Sequence, residues 1–389
     1  MVTIKLAFRN LFGAGLRTWL NVFVLSFAFV VIVFYNGLLD GWNQEAYNDT
    51  KDWSTGNGQL WHASYDPYDP YCLQDAHAPV SEKLKSLVDA KQITPVLITQ
   101  ATIYPTGRSQ NILLKGIDPS QKIIKIPSAS LDKPLSEIPA VIGKRMAASC
   151  NLKKGDKMLM RWRDKNGTFD AKEIQIVEVF SSNVPAVDNG QVWISLTELQ
   201  GITELSNEAT LFIAGDKYKG GDVEDWKFKD SNFLMKDIKE VMQSKRASSS
   251  ILYLLLLAIA LLAIFDTQVL SIFRRQKEIG TYIALGMTRW DVIKIFTIEG
   301  GAHSILAIIL GSVYGIPLLA FLHNNGIPMP KTIDSYGLAI GDKIIPVYSM
   351  ELIMSTVLLV IISATIVSYF PARKISKMNP TDALKGKIQ

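Results

Sequence analysis

Ile251 to Phe273 reads ILYLLLLAIALLAIFDTQVLSIF, and its single charge is Asp266. About 20 apolar residues at 1.5 Å per residue cover a hydrocarbon core of about 30 Å. The stretch therefore predicts a membrane-spanning helix. Three further runs have the same character: Trp19 to Leu39, Ile295 to Leu322 and Met350 to Phe370. The first is longer than the apolar core of a signal peptide, and no small-x-small cleavage pattern follows it. It reads as a retained span. The 389-residue chain is 48% hydrophobic, with 20% charged residues and a mean hydropathy of +0.17. That composition excludes a disordered, collagen-like or nucleic-acid-binding chain.

The position of the charge matters more than its total. The formal net charge is +5. The N-terminal segment holds Lys5, Arg9 and Arg17 and no acid. After the second run come Arg274, Arg275, Lys277, Arg289 and Lys294 against Glu278 and Asp291. The tail holds Arg373, Lys374, Lys377, Lys385 and Lys387 against Asp382. With four spans all three basic segments fall on one side, which the positive-inside rule makes cytoplasmic. Both termini are then cytoplasmic.

The fold class expected is an α-helical membrane protein with four transmembrane helices and a large α+β extracytoplasmic domain between helices 1 and 2. The boundaries read as 1–17 for an amphipathic N-terminal segment and 18–39 for helix 1. They continue as 40–247 for the external domain, 248–273 for helix 2 and 274–294 for a cytoplasmic helix. The remainder is 295–322 for helix 3, 323–349 for an external loop, 350–370 for helix 4 and 371–389 for a cytoplasmic tail. In the external domain, Lys157–Arg163, Lys172–Phe180 and Gln191–Ser195 are strand-like. Asn166-Gly167 marks a hairpin turn. Val80–Ala90 reads as a helix capped by Ser81. The pattern suggests two lobes. Tyr65 to Cys72, YDPYDPYC, reads as a rigid loop, either a surface turn or a partner or membrane contact.

Chemistry-bearing patterns are few. Cys72 and Cys150 both fall on the external side, where a disulfide is permitted. The four histidines are scattered without metal-ligand spacing. There is no phosphate-binding Gly-x-x-x-x-Gly-Lys-Ser/Thr loop, so ATP is not bound by that route. Asp266, costly at mid-membrane, should face protein or the inner headgroups. Glu299 can snorkel to the inner interface. Gly311 and Gly315 form a small-x-x-x-small pair for close helix packing.

Phe273 to Gly300, FRRQKEIGTYIALGMTRWDVIKIFTIEG, fits a short amphipathic helix at the membrane surface. It also resembles the signature of the FtsX-like permease family, which includes lipoprotein-releasing and macrolide-exporting ABC permeases. The resemblance rests on Glu278-Ile279-Gly280, Ala284-Leu285-Gly286 and Glu299. It extends to Pro371-Ala372-Arg373, Pro380 and Ala383-Leu384 in the tail, and to LLKGIDPS and VIGKRMAASCNLKKGDKMLM in a MacB-like external domain. It implies a non-catalytic subunit that dimerises with a second copy or paralogue and couples to separate ABC ATPase subunits, which bind the ATP and magnesium. Glu278 to Met287 would be the coupling helix in an ATPase groove. Its apolar residues would fill the groove, with Glu278 and Arg289 pairing at the rim. Lipoprotein release from a bacterial inner membrane, with a periplasmic chaperone or adaptor, is the leading expectation. Efflux of antibiotics or peptides, and mechanotransmission to a cell-envelope enzyme, are the alternatives.

Overall fold

The computed structural model describes residues 16–328 and 343–377. Lys5, Arg9, most of the loop 323–349, and the tail residues Pro380, Ala383, Leu384, Lys385 and Lys387 lie outside them. In chain order come α1 (Leu16–Thr50), β1 (Gly58–Trp61), β2 (Ala78–Pro79), α2 (Glu82–Asp89), β3 (Ile93–Ile103), β4 (Gln110–Ile117), β5 (Ile138–Gly143) and α3 (Lys144–Cys150). Next are β6 (Lys157–Arg163), β7 (Phe169–Phe180), α4 (Pro185–Asp188), β8 (Gln191–Ser195), α5 (Leu196–Thr203), β9 (Glu208–Ala209), β10 (Leu211–Ala214), β11 (Lys227–Asp230) and α6 (Ser231–Leu234). The C-terminal part contains α7 (Lys236–Arg274), α8 (Gln276–Ala284), α9 (Arg289–Asn325), β12 (Ile327–Pro328), β13 (Lys343–Ile344) and α10 (Met350–Arg373).

Two units emerge, divided near residues 42, 241, 327 and 343. Among the described residues, four helices are long and apolar enough to cross a membrane: Trp19–Thr55, Lys236–Arg274, Arg289–Asn325 and Met350–Arg373. They outrun the apolar stretches that predict them. Helix α7 begins twelve residues before the span boundary expected at 248; the sequence of Val223–Arg246 reads as helical towards its end and running into the second span, and Lys239, Glu240 and Gln243 are good helix formers.

The helical unit has its own core. Val22, Leu25, Phe29, Ile32, Leu257, Ile264, Ala307, Val360 and Ala364 are buried together. Gly311 and Gly315 lie against α1. A Cβ on Gly311 would sit 3.0 Å from Phe29 Cδ1, and one on Gly315 2.8 Å from Val30 Cγ2. Asn21 ties α1 to α7 by donating to Thr267 Oγ1 at 2.6 Å. Asp266 is exposed within this chain, on the outward stripe of α7 that carries Leu262 and Leu270.

The second unit is α+β. Among the described residues nine strands form one sheet, ordered β11-β1-β10-β3-β4-β8-β5-β7-β6. Two separate lobes are not what forms. The reason is the length of β3, which spans 11 residues. Its first half, Ile93–Val96, pairs with β10, and its last residues, Ala101–Ile103, pair with β6. The second pairing closes β3, β4, β8, β5, β7 and β6 into a ring. One apolar cluster, with Leu97, Leu114, Ala140, Met160, Trp162 and Ile176, and another, with Val96, Ile98, Val141, Val177 and Trp193, lie on opposite faces. Ser81 Oγ caps α2 by accepting from Leu84 N. The hairpin turn between β6 and β7 contains Gly167 at φ 85°, in the left-handed region that suits glycine. Both cysteines are free thiols. Cys150 Sγ donates to Gln110 Oε1 at 2.8 Å, and Cys72 Sγ lies 3.3 Å from Asp66 O.

Candidate functional site

The segment between α7 and α9 concentrates the charge and motif signals. The helix expected at 274–294 is shorter. It is α8, Gln276–Ala284, followed by the turn Leu285–Thr288, and Arg289 already starts α9. Gly286 explains the break: its φ of 93° is one that a side chain rarely adopts. Thr288 then caps α9, its Oγ1 accepting from Asp291 N. Leu285, Gly286 and Met287 therefore form the tip of a helix-turn-helix corner.

The two faces of this corner differ. Ile279 and Gly280 are buried. Ile279 packs with Ile272, Val292, Ile293, Phe296, Ala372 and Ile375, while Tyr282, Ile283 and Met287 close the edge. These residues serve the chain's own core and are not available to fill a partner's groove. The Pro371-Ala372-Arg373 motif contributes Ala372 to the same cluster. On the outer face stand Lys277, Thr281, Ala284, Leu285, Arg289 and Trp290. Leu285 is 79% exposed and Trp290 60%. Both apolar side chains are bare on the face that carries the exposed cations Lys277 and Arg289.

Arg275 holds the corner rigid. Its Nε donates to Glu278 Oε2 at 2.6 Å and its Nη2 to Glu278 Oε1 at 2.7 Å. Its Nη1 donates to Glu299 Oε2 at 2.9 Å and Oε1 at 3.2 Å. The guanidinium also lies over the Phe296 ring, 4.8 Å from its centre. Glu278 accepts a further bond from Tyr282 Oη at 2.6 Å. Hydrogen bonds from Arg275 hold the Glu278 carboxyl below its ordinary range, against the opposing effect of burial. Burial, and then the bond to Glu278, raise the Tyr282 phenol.

Glu278 is engaged by Arg275 and Tyr282 within the chain. One expectation is corrected here. Glu299 does not snorkel: its side chain is 5% exposed and ion-paired to Arg275. Arg275 was read only as one base in a cluster. The signal that would have found it is its i,i+3 spacing to Glu278 together with a lone acid, Glu299, in an apolar run. At the residue after Glu299 the helices meet closely. A Cβ on Gly300 would sit 2.0 Å from Ser368 Oγ and 3.1 Å from Gln268 Nε2.

Four spanning-length helices, a helix-turn-helix corner and a large sheet fit a polytopic membrane protein with a folded domain outside its spans. Residues 250–380 match the FtsX-like permease C-terminal family. The match covers about a third of the chain, and the chain's similarities are to the FtsX, MacB and LolC group of permeases. An uncharacterized ABC transporter permease of Methanocaldococcus jannaschii is 32% identical over 131 residues, which are 33% of this chain and 30% of that protein. The lipoprotein-releasing system transmembrane protein LolC of Neisseria meningitidis is 21% identical over 335 residues, covering 75% of this chain and 77% of its own length. The macrolide export ATP-binding/permease protein MacB of Psychrobacter cryohalolentis is 26% identical over 160 residues, covering 39% and 22%. The periplasmic region of MacB from Actinobacillus actinomycetemcomitans aligns with 48% of this chain and 94% of its own, at a TM-score of 0.32 and 11% identity.

Proposed function

We propose that this protein is the permease subunit of an ABC transporter in a bacterial inner membrane, with both termini cytoplasmic. It couples ATP hydrolysis on a separate ATPase subunit to a change in its external domain, and its cargo is lipoprotein to be extracted from the membrane. The observation that carries the reading is the α8–α9 corner, which presents Leu285 and Trp290 outward while its inner face is fixed to the spans. A surface that docks a motor must be apolar enough to bind it and stiff enough to transmit force. Exposed Leu285 and Trp290 meet the first need, and the Arg275 pairs with Glu278 and Glu299 meet the second. ATP and magnesium belong to the ATPase subunit. The long alignment with LolC favours lipoprotein cargo, while the shorter matches to MacB favour efflux with an adaptor as the second reading.

A second permease copy or paralogue is part of the proposal. Asp266 faces outward from the four helices of one chain, where hydrocarbon alone would cost about 3 kcal/mol. A protein neighbour on that stripe of α7 removes the cost. The test is affinity purification of the native complex from membranes, comparing wild type with Leu285→Asp. Recovery of an ATPase and lipoprotein with wild type, and loss of the ATPase with the variant at unchanged thermal stability, is the expected result. Equal ATPase recovery from both would move the docking surface elsewhere.

A further inference from the structure

The second unit carries a cleft that coupling to an ATPase does not use. Its volume is about 770 Å³. It opens where β3 leaves β10 and turns to β6, with Thr99 to Thr102 lining it. One wall is the short helix Pro70–Gln74, the end of the YDPYDPYC loop, and it brings Tyr71, 78% exposed. The other wall is the β6–β7 hairpin, with Arg161, Arg163, Lys165 and Phe169.

The cations in this wall differ in how they are satisfied. Lys165 Nζ donates to Glu204 O at 3.0 Å, with a Glu204 carboxylate oxygen at 3.8 Å. Arg161 lies over the Phe169 ring at 4.3 Å, and Arg163 Nε donates to Gly167 O at 3.2 Å. Neither arginine has a carboxylate partner among the described residues. Of the acids lining the cleft, Asp164 is spent on the turn, its Oδ1 accepting from Asn166 N and Thr168 N. Asp75 is exposed at the end of the Pro70–Gln74 wall, and His77 is bound to Glu208.

We propose that this cleft binds an extended acidic peptide segment of a partner protein. Arg161 and Arg163 are i,i+2 on the outward face of β6. On a strand such residues are about 6.6 Å apart, the same repeat as alternate side chains of an extended peptide. Carboxylates at alternate positions therefore meet both guanidinium groups in register, each able to form a bidentate pair. Tyr71 and Phe169 flank the cations as exposed aromatics, and Tyr, Phe and Arg are the types enriched at protein interfaces. The inference stands apart from the coupling proposal, since it involves neither α8 nor an ATPase.

The test uses the full chain in detergent and a fluorescein-labelled decapeptide alternating Glu with Thr, read by anisotropy. Binding should weaken with salt, and should fall about tenfold or more in Arg161→Gln/Arg163→Gln and with a peptide carrying Gln in place of Glu. Lys157→Gln, on the same strand but paired to Glu137, should change affinity less than about twofold. Melting temperatures would show that the variants fold. Equal binding by the double variant, equal binding of the Gln peptide, or no peptide binding would overturn the proposal. So would Arg161- and Arg163-dependent binding to phosphatidylglycerol vesicles or inorganic phosphate in place of the peptide.

Discussion

Replacing Arg275 by Met tests the rigidity of the α8–α9 corner. The two carboxylates it serves stand in different surroundings. Glu278 is 36% exposed at the side chain and can rehydrate, so its pair is worth less than about 1 kcal/mol. Glu299 is 5% exposed. Left buried without Arg275, its charge costs about 3–5 kcal/mol, the usual penalty for removing one partner of a buried pair. The prediction is therefore asymmetric. Arg275→Met should lower the thermal stability of the detergent-solubilised protein strongly. Adding Glu299→Gln should restore most of the loss, whereas adding Glu278→Gln should restore little. A double-mutant cycle measures this directly, with a coupling of at least about 2 kcal/mol for the 275–299 pair and under about 1 for 275–278. ATPase recovery in pull-downs should persist in Arg275→Met/Glu299→Gln, because Leu285 and Trp290 are untouched, while ATP-driven cargo release falls. Equal couplings for the two pairs, or a 275–299 coupling below about 0.5 kcal/mol, would refute the reasoning.

Further expectations follow from other contacts. Gly300→Ala places a methyl group 2.0 Å from Ser368 Oγ, and should cost about 1–3 kcal/mol in thermal stability; Ser368→Gly in the same chain should recover part of it. Lys115, beside Trp193 at 5.1 Å, has its ammonium pushed down to about 8 by burial. A lysine with a lowered pKa weakens the fold while it is charged. Stability should therefore rise as pH climbs from about 8 towards the ordinary lysine range, and Lys115→Met should stabilise at pH 7 by at most about 3 kcal/mol, with the gap to wild type closing at high pH in a thermal-melt series. Glu278 has the opposite sign: its lowered carboxyl contributes stability above the ordinary glutamate range and loses it as pH falls through the folded value. In an acid titration, wild type should lose that increment and Glu278→Gln should not.

Much of the fold was legible because its signals are one-dimensional. Span length is a count of apolar residues, and the four runs lie inside the four long helices. The Asn166-Gly167 turn and the Ser81 cap depend on neighbours a few residues away, and both are found. What was hidden depends on pairing partners far apart in the chain. Nothing within Ile93–Ile103 says that its first half will meet Leu211–Ala214 and its last residues Met160–Trp162. That split turns two apparent lobes into one branching sheet, and it also opens the cleft below Tyr71. The edge strand Lys227–Asp230, KFKD, is hidden for a different reason, since four residues with one apolar side chain carry little strand pattern.

The motif residues show a sharper limit. Glu278, Ile279, Gly280, Ala284, Leu285 and Gly286 are contiguous enough to be read as one unit, yet they divide by face. Ile279 and Gly280 point into the chain, and Glu278 is held by Arg275. Ala284, Leu285 and Gly286 are outward. On the proposed reading a partner meets only the outward set, while Ile279 packs on Phe296 and Ala372 within the same chain. Substitutions at Ile279 and at Leu285 should then fail differently: Ile279→Ala by loosening the corner and lowering stability by about 2–5 kcal/mol, Leu285→Asp by losing the ATPase with the fold intact. If Ile279→Ala kept its melting temperature and lost the ATPase, the helix would have to present its other face, and the Arg275 pairs would be incidental to coupling.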